Sequence, residues 1–145
     1  MIGLTNTLGD AMTDTLLPNQ SLTPGGVLIS TDGKHHLVFQ GDGNVVIYNA
    51  ENKATWATNT VNGTGDTGTS TLFVMQGDGN LVLYGEVLEG PPVGKPKQPP
   101  VLVRTVRWNS QTANHPGAFL VMQSDGNLVI YDQGKALWNS RTAGK

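Results

Sequence analysis

The stretch LVMQSDGNLVIY at residues 120–131 occurs twice more in the chain, as LVFQGDGNVVIY at 37–48 and as FVMQGDGNLVLY at 73–84. The three copies align without gaps, and each is followed by a tryptophan. Repetition at this spacing is typical of a fold in which similar units share one core. A unit of about 40 residues buries too little surface to fold alone. We therefore interpret residues 1–145 as a single domain with three pseudo-repeats.

The second repeat carries an insertion. The repeats begin 36 and then 47 residues apart, and the extra length lies in GEVLEGPPVGKPKQPPV, at about residues 85–101. This stretch holds five of the eight prolines of the chain. Because proline cannot donate a hydrogen bond to a sheet, we predict that the insertion is a loop and adds no core strand.

Each repeat is predicted to form a β-hairpin, and two turns fit its sequence. A two-residue Asp-Gly turn would pair Gln123 with Leu128 and place an amide on an apolar face. A three-residue loop with Gly126 in the left-handed region pairs Gln123 with Asn127 instead, and each face then carries one kind of side chain. We therefore expect the three-residue loop in all three hairpins.

Alternation along the strands assigns the apolar side chains of the hairpins to a common core. The residues expected to face inward are Leu37, Phe39, Val45, Ile47, Phe73, Met75, Leu81, Leu83, Leu120, Met122, Leu128 and Ile130. The tryptophans that follow the repeats are natural fillers at the centre of this core. They are Trp56, Trp108 and Trp138.

The opposite face of each hairpin carries the same five residue types. Site 1 is Gln40, Asp42, Asn44, Val46 and Tyr48; site 2 is Gln76, Asp78, Asn80, Val82 and Tyr84; site 3 is Gln123, Asp125, Asn127, Val129 and Tyr131. Carboxylates, amides and hydroxyls match the vicinal hydroxyl groups of a sugar, each of which donates and accepts, and valine matches its C–H surface. A tight turn selects glycine and, in part, Asp and Asn, but it does not require Gln or Tyr. We interpret the sets as candidate sugar-binding sites.

The pattern Gln-x-Asp-x-Asn-x-Val-x-Tyr is intact in all three repeats, at 40–48, 76–84 and 123–131. In this respect the chain resembles the monocot mannose-binding lectins, also called bulb-type or snowdrop-agglutinin-like lectins. The resemblance covers about residues 14–142, including the lead-in DTLLPNQSLTPGGVLIS and the W-x-x-x-T endings. It implies an all-β fold, the β-prism II, with three four-stranded antiparallel sheets around a pseudo-threefold axis.

The resemblance also implies roles for the matching residues. In site 1, Asp42 and Asn44 would hold the axial 2-hydroxyl of mannose, Gln40 the 3-hydroxyl and Tyr48 the 4-hydroxyl, while Val46 would pack on the C3–C4 region. The same roles carry over to sites 2 and 3. Glucose, the epimer at C2, would leave polar partners unpaired. The implied protein is a multivalent lectin for mannose and high-mannose glycans.

Several features depart from the family pattern. The chain has no cysteine, whereas many plant members carry a disulfide. The insertion lies beside site 2 and would either block or extend that pocket, and residues 1–13 have no clear counterpart. Relatives often dimerise by exchanging C-terminal strands, so we expect a homodimer. The absence of cysteine and of a signal sequence suggests a microbial, fungal or animal relative more than a plant one.

Other classes of function fit the sequence poorly. Glycoside hydrolysis needs two carboxyl groups flanking one bond, and each repeat offers a single Asp. His35 and His36 are adjacent and would point to opposite faces of a strand, which disfavours a shared metal. An EF-hand counted from Asp78 would place Leu83 where glycine is needed. We expect no enzyme activity, no cofactor and no metal.

The charge and hydropathy of the sequence argue against some classes of partner and some cellular locations. The formal net charge is −2 with no basic run, which argues against nucleic acid as the partner. No stretch reaches the roughly 18 apolar residues that a membrane span needs. No signal peptide is evident, so we expect a soluble protein that is cytoplasmic or released by a non-classical route. The alternatives that stay open are a structural or interaction module on the same fold without sugar binding, and a lectin-like toxin or bacteriocin.

Overall fold

The computed structural model describes residues 13–63, 68–91, 93–94 and 98–145. These residues form twelve β-strands and no helix that could span a membrane. The strands are β1 (Thr15–Leu16), β2 (Ser21–Leu22), β3 (Val27–Ile29), β4 (His36–Phe39), β5 (Val45–Tyr48), β6 (Ala54–Ala57), β7 (Thr69–Met75), β8 (Leu81–Glu89), β9 (Val101–Asn109), β10 (Phe119–Met122), β11 (Leu128–Asp132) and β12 (Lys135–Asn139).

The strands form three four-stranded antiparallel sheets, which confirms the predicted architecture. Sheet 1 has the order β3-β4-β5-β6, sheet 2 the order β2-β7-β8-β9, and sheet 3 the order β1-β10-β11-β12. Each repeat contributes its hairpin as the two central strands of one sheet. The strand with the tryptophan completes that sheet on one side.

The first strand of each sheet comes from the lead-in that precedes the repeats. Three short strands follow one another here, and each pairs with the hairpin of a different sheet. Their leucines Leu16, Leu22 and Leu28 are six residues apart and fully buried. The chain thus passes all three sheets, and leaves one leucine in the core at each, before the first repeat begins.

The hairpins have the predicted three-residue loop. Met122 pairs with Leu128, and the Gln123 amide donates to the Asn127 carbonyl at 2.9 Å. Gly126 has a φ of 93°, in the left-handed region that glycine adopts without strain. The equivalent bonds close the loops of the other two hairpins. All twelve hairpin residues expected in the core have no exposed surface.

The three tryptophans meet at the centre of the prism, as predicted. The ring centroids of Trp56, Trp108 and Trp138 lie 5.5 to 5.6 Å apart, and each pair meets edge to face. Such pairs contribute about 1 kcal/mol each beyond the area they bury. The tryptophans are partly buried and pack against the fully buried core. They link the fourth strands of all three sheets, β6, β9 and β12.

The loop predicted at about residues 85–101 is shorter than expected. Gly85–Glu89 continue strand β8, and Val101 begins β9, with Glu89 opposite Val101 and Leu88 opposite Leu102. The prolines lie only between 91 and 100, so the flanking residues keep their amides for the ladder. We refer to residues 85–89 with 101–106 as the arm.

Candidate functional site

The polar side chains of site 1 form one hydrogen-bonded network. The Gln40 amide nitrogen donates to both carboxylate oxygens of Asp42, at 3.1 and 3.2 Å. The Tyr48 hydroxyl donates to the amide oxygen of Gln40. The backbone amide of Asn44 donates to Asp42 Oδ1 at 3.0 Å. Gln40 is therefore held between a tyrosine on one strand and an aspartate at the loop.

The Asn44 side chain is oriented by hydrogen bonds from the segment that follows β6. The Thr60 backbone amide donates to Asn44 Oδ1 at 3.2 Å, and the Thr58 hydroxyl lies 3.2 Å from the same oxygen. A backbone N–H can only donate, so this contact identifies the oxygen and fixes which way the amide points. Thr60 in turn donates its hydroxyl to the Gly43 carbonyl at 2.8 Å. The other end of the amide is the NH2 group of Asn44, which carries two N–H donors.

Sites 2 and 3 contain the same network with nearly the same distances. Glutamine donates to both aspartate oxygens at 3.2 and 3.3 Å in each, and the tyrosine hydroxyl again donates to the glutamine oxygen. The asparagine oxygens accept from the Thr112 and Thr142 amides at 3.2 Å. The structure thus brings four of the five predicted residue types together three times.

The supporting hydroxyl residues were not predicted as part of the sites. Each repeat ends in Trp-x-[Ser/Thr]-x-Thr, and the two hydroxyl residues are buried in all three copies. The residue between them has a φ of 57° to 60°, which turns both hydroxyls toward the hairpin loop. The pairs are Thr58 and Thr60, Ser110 and Thr112, and Ser140 and Thr142. The threefold recurrence of this pattern was the signal that could have identified them.

The valines lie on the predicted face, but they are not exposed as expected. Val46, Val82 and Val129 have only 2 to 3 % of their surface accessible. Val46 sits on the central strand of its sheet, directly between Val38 and Ala57 of the neighbouring strands, which cover it. The valines therefore form the floor of each pocket and present little surface of their own.

The network leaves both donors and acceptors for a ligand. Asparagine offers its NH2 group, glutamine its second amide hydrogen, and aspartate and tyrosine offer oxygen lone pairs. A group that both donates and accepts, such as a sugar hydroxyl, can bond to two neighbours at once in this setting. The described residues contain no cluster of three metal-binding side chains. The remaining donors and acceptors are suited to hydrogen bonding with a polar ligand.

A different neighbouring loop closes each site. The backbone carbonyl of Asp42 accepts from Asn62 at 2.6 Å, that of Asp78 from His115 at 2.9 Å, and that of Asp125 from Gly144 at 2.7 Å. Near site 3, the amide of Asp32 also donates to Ser124 Oγ at 3.2 Å. The Ser30 hydroxyl, followed by the Lys34 amide, lowers the pKa of Asp32.

Site 1 is also held from sheet 2 by Arg107. Its guanidinium donates to the Thr60 carbonyl at 3.1 Å and to Ser70 Oγ at 2.9 Å. Gly85 makes room for this side chain, because a Cβ at that position would lie 2.4 Å from Arg107 Cδ. Arg107 thus connects the arm to the residue that orients Asn44.

Comparison with known proteins gives matches at the level of structure. No protein-family model and no curated protein matches the chain. A Japanese Marasmius oreades lectin is 26 % identical, with a TM-score of 0.71, over 97 % of this chain and 98 % of that one. The snowdrop (Galanthus nivalis) mannose-specific agglutinin, solved with methyl-α-D-mannoside, is 29 % identical, with a TM-score of 0.57, over 89 % and 96 %.

A monomeric monocot mannose-binding lectin from Gastrodia elata is 32 % identical, with a TM-score of 0.65, over 90 % of this chain and 99 % of that one. This identity extends over nearly the whole length of both chains. It accompanies three intact motifs on three matching sheets. The chain belongs to the family of monocot mannose-binding, or bulb-type, lectins.

Proposed function

We propose that the protein is a non-catalytic lectin that binds mannose residues of glycans through three pockets, sites 1, 2 and 3. The observation that carries the proposal is the network that occurs three times around Gln, Asp, Asn and Tyr. In each copy the asparagine oxygen accepts a hydrogen bond from a backbone N–H, which leaves the NH2 group of the same amide for a ligand. The snowdrop relative is mannose-specific and the Gastrodia relative is mannose-binding, which supports the same ligand.

The pockets are preorganised for a ligand with adjacent hydroxyl groups. In site 1, the axial 2-hydroxyl of mannose would donate to Asp42 and accept from the Asn44 amide, and the 3-hydroxyl would accept from Gln40. The 4-hydroxyl would bond to the Tyr48 oxygen. Because the side chains already hold one another in place, binding immobilises few additional rotamers. Val46 would lie beneath the sugar ring and contribute little contact area.

The same contacts would select mannose over its C2 epimer, glucose. In glucose the 2-hydroxyl is equatorial, so it cannot occupy the position between the aspartate and the asparagine amide. Both groups would then lose water without gaining a partner, which costs roughly 1–3 kcal/mol for each unsatisfied group. We therefore expect glucosides to bind far more weakly than mannosides.

Useful affinity would come from several pockets acting together. A shallow monosaccharide site gives about 4 kcal/mol, or millimolar affinity. A cell-surface glycoprotein with clustered mannose residues can occupy more than one site, which raises the effective concentration at the next. The partner class is therefore high-mannose glycans and the glycoproteins that carry them.

A homodimer would double the number of pockets, and we include it in the proposal. Strand β12 pairs with β11 of its own chain, so sheet 3 has four strands without one from a partner. A dimer would accordingly form on the outer surfaces of complete prisms. Sedimentation equilibrium measures this directly, and a single monomeric species at all concentrations would contradict it.

Calorimetry with methyl α-mannoside and then methyl α-glucoside tests the function. We expect binding of the mannoside at roughly millimolar Kd, with close to three equivalents per chain, and little heat from the glucoside. The variant Asn44→Ala/Asn80→Ala/Asn127→Ala is the control, and it should give no binding heat. Flat titrations of the unaltered chain with both sugars would contradict the proposal and favour an interaction module without sugar binding.

A further inference from the structure

The arm continues the site 2 hairpin on the same face as the pocket. Tyr84 lies opposite Val106, and the next residues on that face of β8 are Glu86 and Leu88. Their partners on β9 are Arg104 and Leu102. We call Val106 and the four residues beyond the tyrosine the strip, which therefore consists of Glu86, Leu88, Leu102, Arg104 and Val106. The strip begins at the edge of the pocket, because Val106 lies opposite Tyr84 of site 2.

The strip exposes three large apolar side chains. Leu88 and Leu102 are each 63 % exposed, and Val106 is 54 % exposed. From Tyr84 to Leu88 the strand runs about 13 Å at the usual rise per residue. Exposed apolar surface of this extent, flanked by polar groups, is typical of a binding surface. The strip is long enough for more than one pyranose ring.

Arg104 connects the strip to the pocket. Its guanidinium carbon lies 5.0 Å from the centroid of the Tyr84 ring, a cation–π contact. The stacked guanidinium can still donate from its edges, since its five N–H groups lie in its plane. It therefore places donors directly beside the tyrosine that carries the hydroxyl of site 2.

Sites 1 and 3 have no such continuation. Tyr48 lies opposite Ala54, and the chain between them turns back through residues 49–53. Tyr131 lies opposite Ala136, and the chain turns at 133–134. At both sites the sheet ends just beyond the tyrosine. The three pockets are thus alike, but only in site 2 do the described residues continue past the pocket.

From this continuity we infer that site 2 is an extended oligosaccharide site, in which the strip binds the sugar residues joined to the mannose in the pocket. The inference rests on the mannose binding proposed above. The leucines and Val106 would pack against C–H faces of the next sugars, while Arg104 and Glu86 bond to their hydroxyls. A mixed apolar and charged surface suits a sugar chain because each ring presents both C–H faces and hydroxyls. Sites 1 and 3 would each hold a single residue.

The test compares single-site variants with two ligands. Asn44→Ala/Asn127→Ala leaves only site 2, and Asn44→Ala/Asn80→Ala leaves only site 3. We expect a linear α-linked mannotriose to bind site 2 about tenfold more tightly than methyl α-mannoside does. At site 3 the two ligands should differ by less than about threefold.

Serine substitution on the arm then locates the effect. In the chain that keeps only site 2, Leu88→Ser/Leu102→Ser should reduce the mannotriose affinity about tenfold, close to that of the monosaccharide. The matched control is Val101→Ser, since Val101 is 60 % exposed but lies on the opposite face of the arm. The control should retain the tight binding of mannotriose.

The outcomes separate this inference from the function on which it rests. If methyl α-mannoside fails to bind the unaltered chain, the mannose-binding function is wrong. If the monosaccharide binds and mannotriose is no tighter at site 2 than at site 3, the extended site is wrong. If the Leu88→Ser/Leu102→Ser change turns a dimer into a monomer and leaves mannotriose affinity unchanged, a second copy of the chain occupies the strip instead.

Discussion

Site 2 and site 3 contain the same hydrogen-bonded network in different surroundings. Within each network the distances agree to about 0.1 Å, because both are set by a hairpin loop and by the hydroxyl segment behind it. Beyond the tyrosine, site 3 ends in a turn, whereas site 2 continues into the arm. The geometry of each pocket therefore depends on its own hairpin loop and hydroxyl segment, and not on the residues beyond the tyrosine. Material can be added beyond Tyr84 without altering the groups that hold the first sugar.

Glycine substitution in the hairpin loops is expected to give the largest difference between the sites, measured as the free energy of unfolding. Gly43, Gly79 and Gly126 have φ of 92° to 93°, so alanine costs about 1–2 kcal/mol at each from backbone strain alone. A Cβ at Gly79 would also lie 2.3 Å from the His115 carbonyl oxygen, while at Gly126 it would meet the His35 ring at 2.9 Å. We expect Gly79→Ala to reduce the free energy of unfolding by about 3–4 kcal/mol and Gly126→Ala by about half of that. Urea denaturation measures both, and equal losses would contradict this difference.

Removal of one asparagine amide tests whether the three pockets act alike. Asn44→Ala, Asn80→Ala and Asn127→Ala should each abolish about one binding equivalent for methyl α-mannoside, since each removes a donor worth roughly 1–3 kcal/mol. The two unaltered sites serve as the internal control in each titration. Unchanged stoichiometry in any of the three would refute the assignment of that site.

Arg107 distinguishes site 1 from the other two. Arg107→Leu removes the donors to the Thr60 carbonyl and to Ser70, and so loosens the residue that orients Asn44. We expect a threefold to tenfold loss of mannoside affinity at site 1, about 1 kcal/mol. The measurement is a titration in the Asn80→Ala/Asn127→Ala background. The same change in a chain that keeps only site 3 should leave the affinity unaltered, and a uniform loss would indicate general destabilisation instead.

The smallest expected effect on stability and affinity comes from replacing Val106, beside site 2, with the alanine found at the equivalent position of the other two sites. Val106→Ala places alanine opposite Tyr84, as Ala54 and Ala136 are placed opposite the other two tyrosines. Because Val106 is more than half exposed, the free energy of unfolding should change by less than about 0.5 kcal/mol. The mannotriose affinity of site 2 should fall about twofold. A larger effect on stability would show that Val106 packs as a structural residue.

The sequence was sufficient to predict the hairpins because their signal is local. The register followed from requiring one kind of side chain on each face, and the fixed Gln, Asp, Asn and Tyr spacing places these groups together in any such hairpin. The hydroxyl pair Thr58 and Thr60 was missed because it lies 14 to 16 residues from Asn44 and meets it only through the pairing of β5 with β6. That pairing is a tertiary property.

Other misses have different physical causes. The exposure of Val46 depends on its neighbours Val38 and Ala57 on two other strands, which alternation along one strand does not describe. The two ends of the insertion form strand, and this was missed because the prolines were counted over the whole of residues 85–101. Glu86–Glu89 contains no proline and is free to pair. The lead-in strands β1 and β2 have two residues each, too few for periodicity to indicate a strand.

The six-residue steps of the lead-in also determine the order in which the domain can assemble. Thr15 pairs with Val121, so a nascent chain cannot complete sheet 3 until the last repeat has been synthesised. Pairing between such distant residues slows folding, because a long loop must close before the contact stabilises anything. Only sheet 1 takes its first strand from a segment close to its own hairpin. Strand β1, the first in the sequence, therefore stays without its partner strand until the last repeat is made, whereas β3 can pair as soon as the first hairpin forms.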